Sequence, residues 1–139
     1  MAKVLIFGTF DIVHSGHLNM FKQAREYGDH LIVVVSTDKN AGKIKGIGPF
    51  HNEEERRGFL SHFDLIDEVY VGNEHDPYKC IIEHKPDVIA LGYDQKVFVD
   101  RLEDKITEYG LETRIIRLTP YSEDRFKSGK IRKYIERVV

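Results

Sequence analysis

The chain has 139 residues, the size of one domain, with 41% hydrophobic and 32% charged residues and a formal net charge of −2. That balance gives no general attraction to nucleic acid or to an anionic membrane, so any phosphate binding has to come from a local cluster. No run approaches the ~18 apolar residues of a membrane span and the N-terminus lacks a signal-peptide layout, while a lone cysteine, Cys80, excludes an internal disulfide or a thiolate metal cage; a soluble, cytoplasmic protein is expected.

Short Val- and Ile-rich runs alternate with segments of helical period along the chain. The first strand is expected over Lys3–Phe7, followed by a turn and a helix over Gly16–Tyr27. A second strand, Leu31–Val35, is apolar at consecutive positions, which suits burial on both faces of a parallel sheet. Ser36 to Pro49 has no periodic pattern and carries Lys39, Lys43 and Lys45; it reads as a long basic loop, either a lid at the ligand edge or a solvated connection. Then come a helix over Glu53–Phe63, a strand over Glu68–Val71 and a helix over Tyr78–His84, with Cys80 as a small core residue. Val88–Leu91 is another consecutive apolar strand, followed by a helix over Val97–Tyr109, a strand over Thr113–Ile116 and a last helix over Ser128–Arg137. This alternation predicts an α/β fold: a doubly wound, parallel, five-stranded sheet with helices on both faces and right-handed crossovers, forming one domain over 1–139.

The chemistry concentrates between Phe7 and His17, where a strand runs through a turn into a helix start. Helix N-termini offer unpaired N–H groups and the positive end of the macrodipole to an anion. His14 and His17 stand three residues apart there, and Gly16 leaves room between them for an oxyanion. The alternative is a structural turn with two solvated histidines. Imidazoles, cations and N–H groups suit a reaction of bound phosphates that needs alignment and charge neutralisation rather than a strong base.

The motif His14-Ser15-Gly16-His17 resembles the H-x-G-H mark of the nucleotidylyltransferase superfamily, and the longer run Gly8 to His17 resembles its cytidylyltransferase-like branch. That branch includes glycerol-3-phosphate cytidylyltransferases and archaeal-type FAD synthetases. The resemblance implies a Rossmann-like fold and a triphosphate site drawing on Gly8, Thr9, Phe10, His14, Gly16 and His17. It implies a divalent ion, most simply Mg²⁺, near Asp11 and Asp94, although Asp11 also suits a structural role capping the turn. Lys43 or Lys45 resembles the lid lysine of the family, and Arg56 falls where the family carries an arginine; by residue type alone Arg56 can equally pair within Glu53 to Arg57.

Gly92, Tyr93 and Asp94 follow the fourth strand where the family holds base and ribose, and Leu91 to Gln95 resembles the FAD-forming enzymes. The C-terminal phosphate motif of the family is altered here: Ser128 and the pair Lys130-Ile131 match, Lys127 and Gly129 replace hydroxyl residues, and Arg125 can add charge. The resemblance implies ATP and FMN as substrates, a homodimer, and no nucleic-acid or membrane partner. Glycerol 3-phosphate with CTP is the competing substrate pair, and a non-catalytic nucleotide sensor on the same fold is the competing class. Phe10, Tyr93, Phe98 and Tyr121 are the aromatic groups expected near the ligand edge. The remaining histidines, His30, His51, His62, His75 and His84, read as mostly exposed, with His75 a candidate contact to the acceptor.

Overall fold

A computed structural model describes residues 2–45, 48–96, 99–120, 133–134 and 136–137, with backbone alone at 44 and 45. Five strands, β1 (Lys3–Gly8), β2 (His30–Val35), β3 (Glu68–Val71), β4 (Val88–Leu91) and β5 (Arg114–Arg117), form one parallel sheet in the order β3-β2-β1-β4-β5. The helices among them are α1 (Ser15–Arg25), α2 (Asp38–Lys45), α3 (Glu53–Leu60), α4 (Lys79–His84) and α5 (Leu102–Glu108).

Alternate strand residues face opposite sides, so each consecutive apolar run feeds two hydrophobic layers. Val4, Ile6, Leu31, Val33 and Ala90 pack with Phe21 and Ala24 of α1 and Leu60 of α3. Leu5, Ile32, Val34 and Ile89 pack on the other face with Cys80 and Ile81 of α4 and Leu102 and Ile106 of α5. The sheet is therefore covered on both sides, as the sequence pattern required. Its strand order reverses between β1 and β4, and in open α/β sheets that switch point is where ligands enter, at the carboxyl ends of the strands.

The segment from Ser36 to Pro49, expected as an irregular loop, is corrected over much of its length: Asp38–Lys45 is helical. Thr37 starts it, its carbonyl accepting from Ala41 N at 2.9 Å and its hydroxyl from Asn40 N at 3.1 Å. Ala41 is fully buried and Asn40 nearly so, with Asn40 Nδ2 donating to the Glu74 carbonyl at 3.2 Å. The three glycines and three lysines of Ser36 to Pro49 concealed this helix, which is pinned by two buried positions and a cap, with no apolar stripe among its described side chains. Of the helix expected over Val97–Tyr109, Leu102–Glu108 is helical and 99–101 is turn, residues 97 and 98 lying outside the described residues, and the last strand is shifted one residue, to Arg114–Arg117.

Candidate nucleotide site

β1 ends at Gly8, and the chain turns through Phe10, which has φ +53° in the left-handed region that side chains rarely adopt. This turn folds the Phe10 ring back over Gly8, where an added Cβ would lie 3.1 Å from Phe10 Cζ; glycine is needed there for packing against Phe10. Phe10 is 6% exposed, its ring edge-on to His17 at 5.7 Å between centroids and tilted against Phe21 at the same distance. Expected among the aromatic groups near the ligand edge, it is buried behind the His17 imidazole.

His14 is the N-cap of α1, with extended backbone at φ −144° and ψ −175°. Its Nδ1 accepts from Gly16 N at 3.1 Å, and the Nδ1 of His17 accepts from His14 N at 3.2 Å, a capping box built from two imidazoles. A backbone N–H can only donate, so both Nδ1 atoms are acceptors and each neutral ring carries its proton on Nε2. Burial lowers the pKa of His14 from its usual 6.5, favouring that neutral form. The rings lie 4.2 Å apart between centroids, so the helix cap also arranges two N–H donors side by side.

Behind this turn lies a buried polar network. Both carboxylate oxygens of Asp11 are engaged: Oδ2 accepts from Phe50 N at 2.7 Å and Oδ1 from His51 N at 2.8 Å. Arg56 is 1% exposed and is not paired within its own helix. Its Nε donates to the His51 carbonyl at 3.1 Å, one terminal nitrogen to the Thr9 carbonyl at 2.8 Å, and the other to Asp38 Oδ1 at 2.9 Å. It ties together the β1–α1 turn, the start of α2 and the loop before α3. The Thr9 hydroxyl accepts from Ser36 Oγ at 3.2 Å, joining the carboxyl ends of β1 and β2.

Across the switch point, Gly92 to Gln95 form a turn closed by Gln95 N donating to the Gly92 carbonyl at 3.1 Å. Tyr93 is half-buried and Asp94 exposed. A nitrogen of Arg117, at the end of β5, donates to the carbonyls of Gly92 at 2.9 Å and Gln95 at 2.6 Å. A Cβ on Gly92 would meet nothing closer than 3.8 Å, so the protein's own atoms do not require glycine there.

The β1–α1 turn, Asp11 and Arg56 thus lie in one connected network, and Gly92, Tyr93 and Asp94 follow the strand beside β1. Lys43 is exposed on α2, near enough to Glu74, as is Lys39, to lower that carboxyl's pKa. Arg125, Ser128, Lys127, Gly129, Phe98 and Tyr121 lie outside the described residues. His51, Asp38, Gln95 and Arg117 carry roles that sequence reasoning missed. For His51 and Asp38 the available signal was the capping box of Asn52 and Glu55 at the head of α3, which fixes the loop they brace. Among the described residues no three His, Cys, Asp or Glu side chains gather as a metal site, and no helix is long and apolar enough to cross a membrane.

Residues 5–134 match the family model described as cytidylyltransferase-like. The chain is 39% identical over 133 residues to the FAD synthase of Picrophilus torridus, covering 96% of this chain and 95% of that protein. It is 41% identical over 140 residues to the FAD synthase of Archaeoglobus profundus, covering 100% and 87% respectively. Among solved structures, the lipopolysaccharide core biosynthesis protein of Thermoplasma volcanium GSS1 superposes with a TM-score of 0.81 at 38% identity, over 88% of this chain and 99% of that one. Pantoate-beta-alanine ligase of Francisella tularensis shares the fold, with a TM-score of 0.58 at 16% identity over 97% of this chain and 69% of that one.

Proposed function

Because the chain belongs to the cytidylyltransferase-like family, we propose that it joins ATP to FMN, forming FAD and releasing pyrophosphate. The carrying observation is the two-imidazole cap at the switch point, supported by full-length similarity to FAD synthases. The chain is a nucleotidyltransferase. In the reaction the FMN phosphate oxygen bonds to the α-phosphorus of ATP as the bond to the bridging oxygen breaks, and that oxygen leaves on pyrophosphate. No strong base is needed, since the attacking phosphate is already ionised near neutral pH.

Each named side chain then has a part. His14 and His17 donate Nε2–H to α- and β-phosphate oxygens, and the N–H groups at the start of α1 add the helix dipole. Thr9 and Gly16 let the triphosphate approach the backbone, Gly8 makes room for the Phe10 ring, and Phe10 holds the His17 ring. Gly92, Tyr93 and Asp94 take the ribose and base. Lys43 meets the phosphates from α2, and Arg125 and Ser128 continue that contact from the C-terminal motif. Arg56 is a positioning residue, since its guanidinium is buried between backbone carbonyls and Asp38.

A divalent ion fits this donor set in one manner. Mg²⁺ is commonly held by substrate oxygens with one or two carboxylates rather than by a protein cage, and Asp94 is exposed at the ligand edge. Asp94 is the better of the two expected carboxylates, because both oxygens of Asp11 already accept backbone N–H groups. The ion would neutralise charge on the triphosphate. The remainder of the reading is a cytoplasmic homodimer of one-domain chains, which light scattering after size exclusion tests. Incubation with FMN, ATP and Mg²⁺ should give FAD by chromatography. CDP-glycerol from CTP and glycerol 3-phosphate, with no FAD, would overturn the substrate assignment and leave the reaction class.

A further inference from the structure

The ladder between β1 and β4 stops early. Its paired positions are Val4 with Val88 and Leu5 with Ile89, yet β1 stays paired with β2 as far as Gly8 and Val35, and β4 with β5 as far as Leu91 and Arg117. The two central strands therefore part at their carboxyl ends while each keeps its outer neighbour. Backbone groups alternate sides along a strand. The Gly8 carbonyl accepts from Ser36 beyond β2, so the Phe7 carbonyl faces β4. The carbonyls of Asp87 and Leu91 accept from Arg114 and Leu118 on the β5 side, so Gly92 faces β1. Continued to the strand ends, the ladder would set Gly92 N–H donating to the Phe7 carbonyl.

That rung is occupied by a side chain. Gly92 N donates to Gln95 Oε1 at 3.2 Å, and Gln95 Nε2 donates to the Phe7 carbonyl at 3.0 Å. A carboxamide, with one acceptor and one donor on the same carbon, replaces a direct hydrogen bond by two in series and keeps the strands apart. Arg117, holding the carbonyls of Gly92 and Gln95, fixes the turn from which this side chain reaches back. We propose that the Gln95 carboxamide is an inserted rung that sets the width of the crevice between β1 and β4, making Gln95 a positioning residue for the nucleotide. This rests on the reading of that crevice as the nucleotide site. A leucine here lets Gly92 and Phe7 close on each other, and the space for the ribose and base shrinks.

Glutamate is the sharper probe. Ionised Gln95→Glu keeps an acceptor for Gly92 N–H but turns a second acceptor on the Phe7 carbonyl; protonated, it restores the donor and mimics glutamine. The experiment uses the full chain, with ATP binding by calorimetry beside steady-state FAD formation. Gln95→Leu and Gln95→Glu at neutral pH should raise Kd and KM for ATP about tenfold or more, with the KM for FMN and kcat changed less than about threefold. The ratio of Gln95→Glu to wild-type Kd should shrink as pH falls into the carboxyl range; Asp94 and Arg117 are common to both proteins and cancel in that ratio. Should Gln95→Leu not fold, the Gln95→Glu ratio still decides. ATP affinity within twofold of wild type in Gln95→Glu at neutral pH, or a ratio that does not fall on acidification, overturns the proposal. Wild-type protein that binds ATP but makes no FAD would overturn the substrate reading alone and leave the calorimetric test standing.

Discussion

Asp11 and His51 are bound twice over: Asp11 Oδ1 accepts the backbone N–H of His51 at 2.8 Å and lies 3.1 Å from the His51 ring Nδ1. The other carboxylate oxygen takes Phe50 N, so the motif residue three positions before His14 clamps the loop that leads into α3. Asp11→Asn keeps one acceptor and turns an NH₂ group towards the second backbone N–H. The expected cost is about 1–3 kcal/mol of stability. Faster amide exchange confined to Phe50, His51 and their neighbours would locate it; unchanged exchange there would refute the clamp.

Arg56→Met should cost more. It removes a buried guanidinium and strands the carbonyls of Thr9 and His51, together with the Asp38 carboxylate. A loss of about 3–5 kcal/mol is expected from denaturant midpoints, because the partners stay behind. Arg56→Lys should recover little, since one ammonium cannot span three acceptors arranged around a planar fork. A loss in kcat at full stability would instead argue for direct contact with substrate.

The two-imidazole cap gives a signed pH dependence. Protonating Nδ1 of His14 or His17 destroys an acceptor that the start of α1 uses. The folded-state pKa of His14 lies below 6.5, so between that value and the folded one the unfolded chain binds more protons. The contribution to stability is complete above pH 6.5 and declines as pH falls towards the folded value. His14→Asn, a good N-cap with no titration in this range, should flatten that acid limb while lowering kcat by ~10²–10³. Turnover within about twofold of wild type would remove His14 from the chemistry.

Cys80 should be inert in the native protein. Burial pushes its thiol up to about 12, and its Sγ–H faces the Pro77 carbonyl at 3.6 Å. Iodoacetamide at mildly alkaline pH should therefore leave native protein unlabelled by mass spectrometry and label it fully in denaturant. Rapid native labelling would show that α4 opens locally.

Much of this site is local and was legible along the chain. The turn from β1 into α1 needs only neighbours in sequence: a glycine under the Phe10 ring, a histidine at the N-cap and a second histidine three residues on. The paired apolar runs of β2 and β4 likewise announced a sheet covered on both faces, because burial on two sides leaves no polar alternation. What the pattern concealed was α2, whose buried residues, among those described, are Ala41 and Asn40.

Roles that join distant residues became visible only in three dimensions. Arg56 belongs by spacing to a charged helix start, and nothing local distinguishes it from Arg57, which pairs with Glu54 at 3.1 Å on the surface. Phe10 reads from sequence as a ligand-edge residue and Asp11 as either a metal-side or a turn-capping residue; packing sets one under His17 and the other onto the loop at Phe50. Gln95 stands 88 positions from the carbonyl it holds at 3.0 Å. Sequence alone determined the strand-to-helix turn with its histidine cap and the layered fold, since both follow from hydrophobic period and capping between near neighbours. Tertiary structure alone decided which polar groups hold the frame, because that depends on which buried carbonyls and N–H groups need a partner once the strands have met.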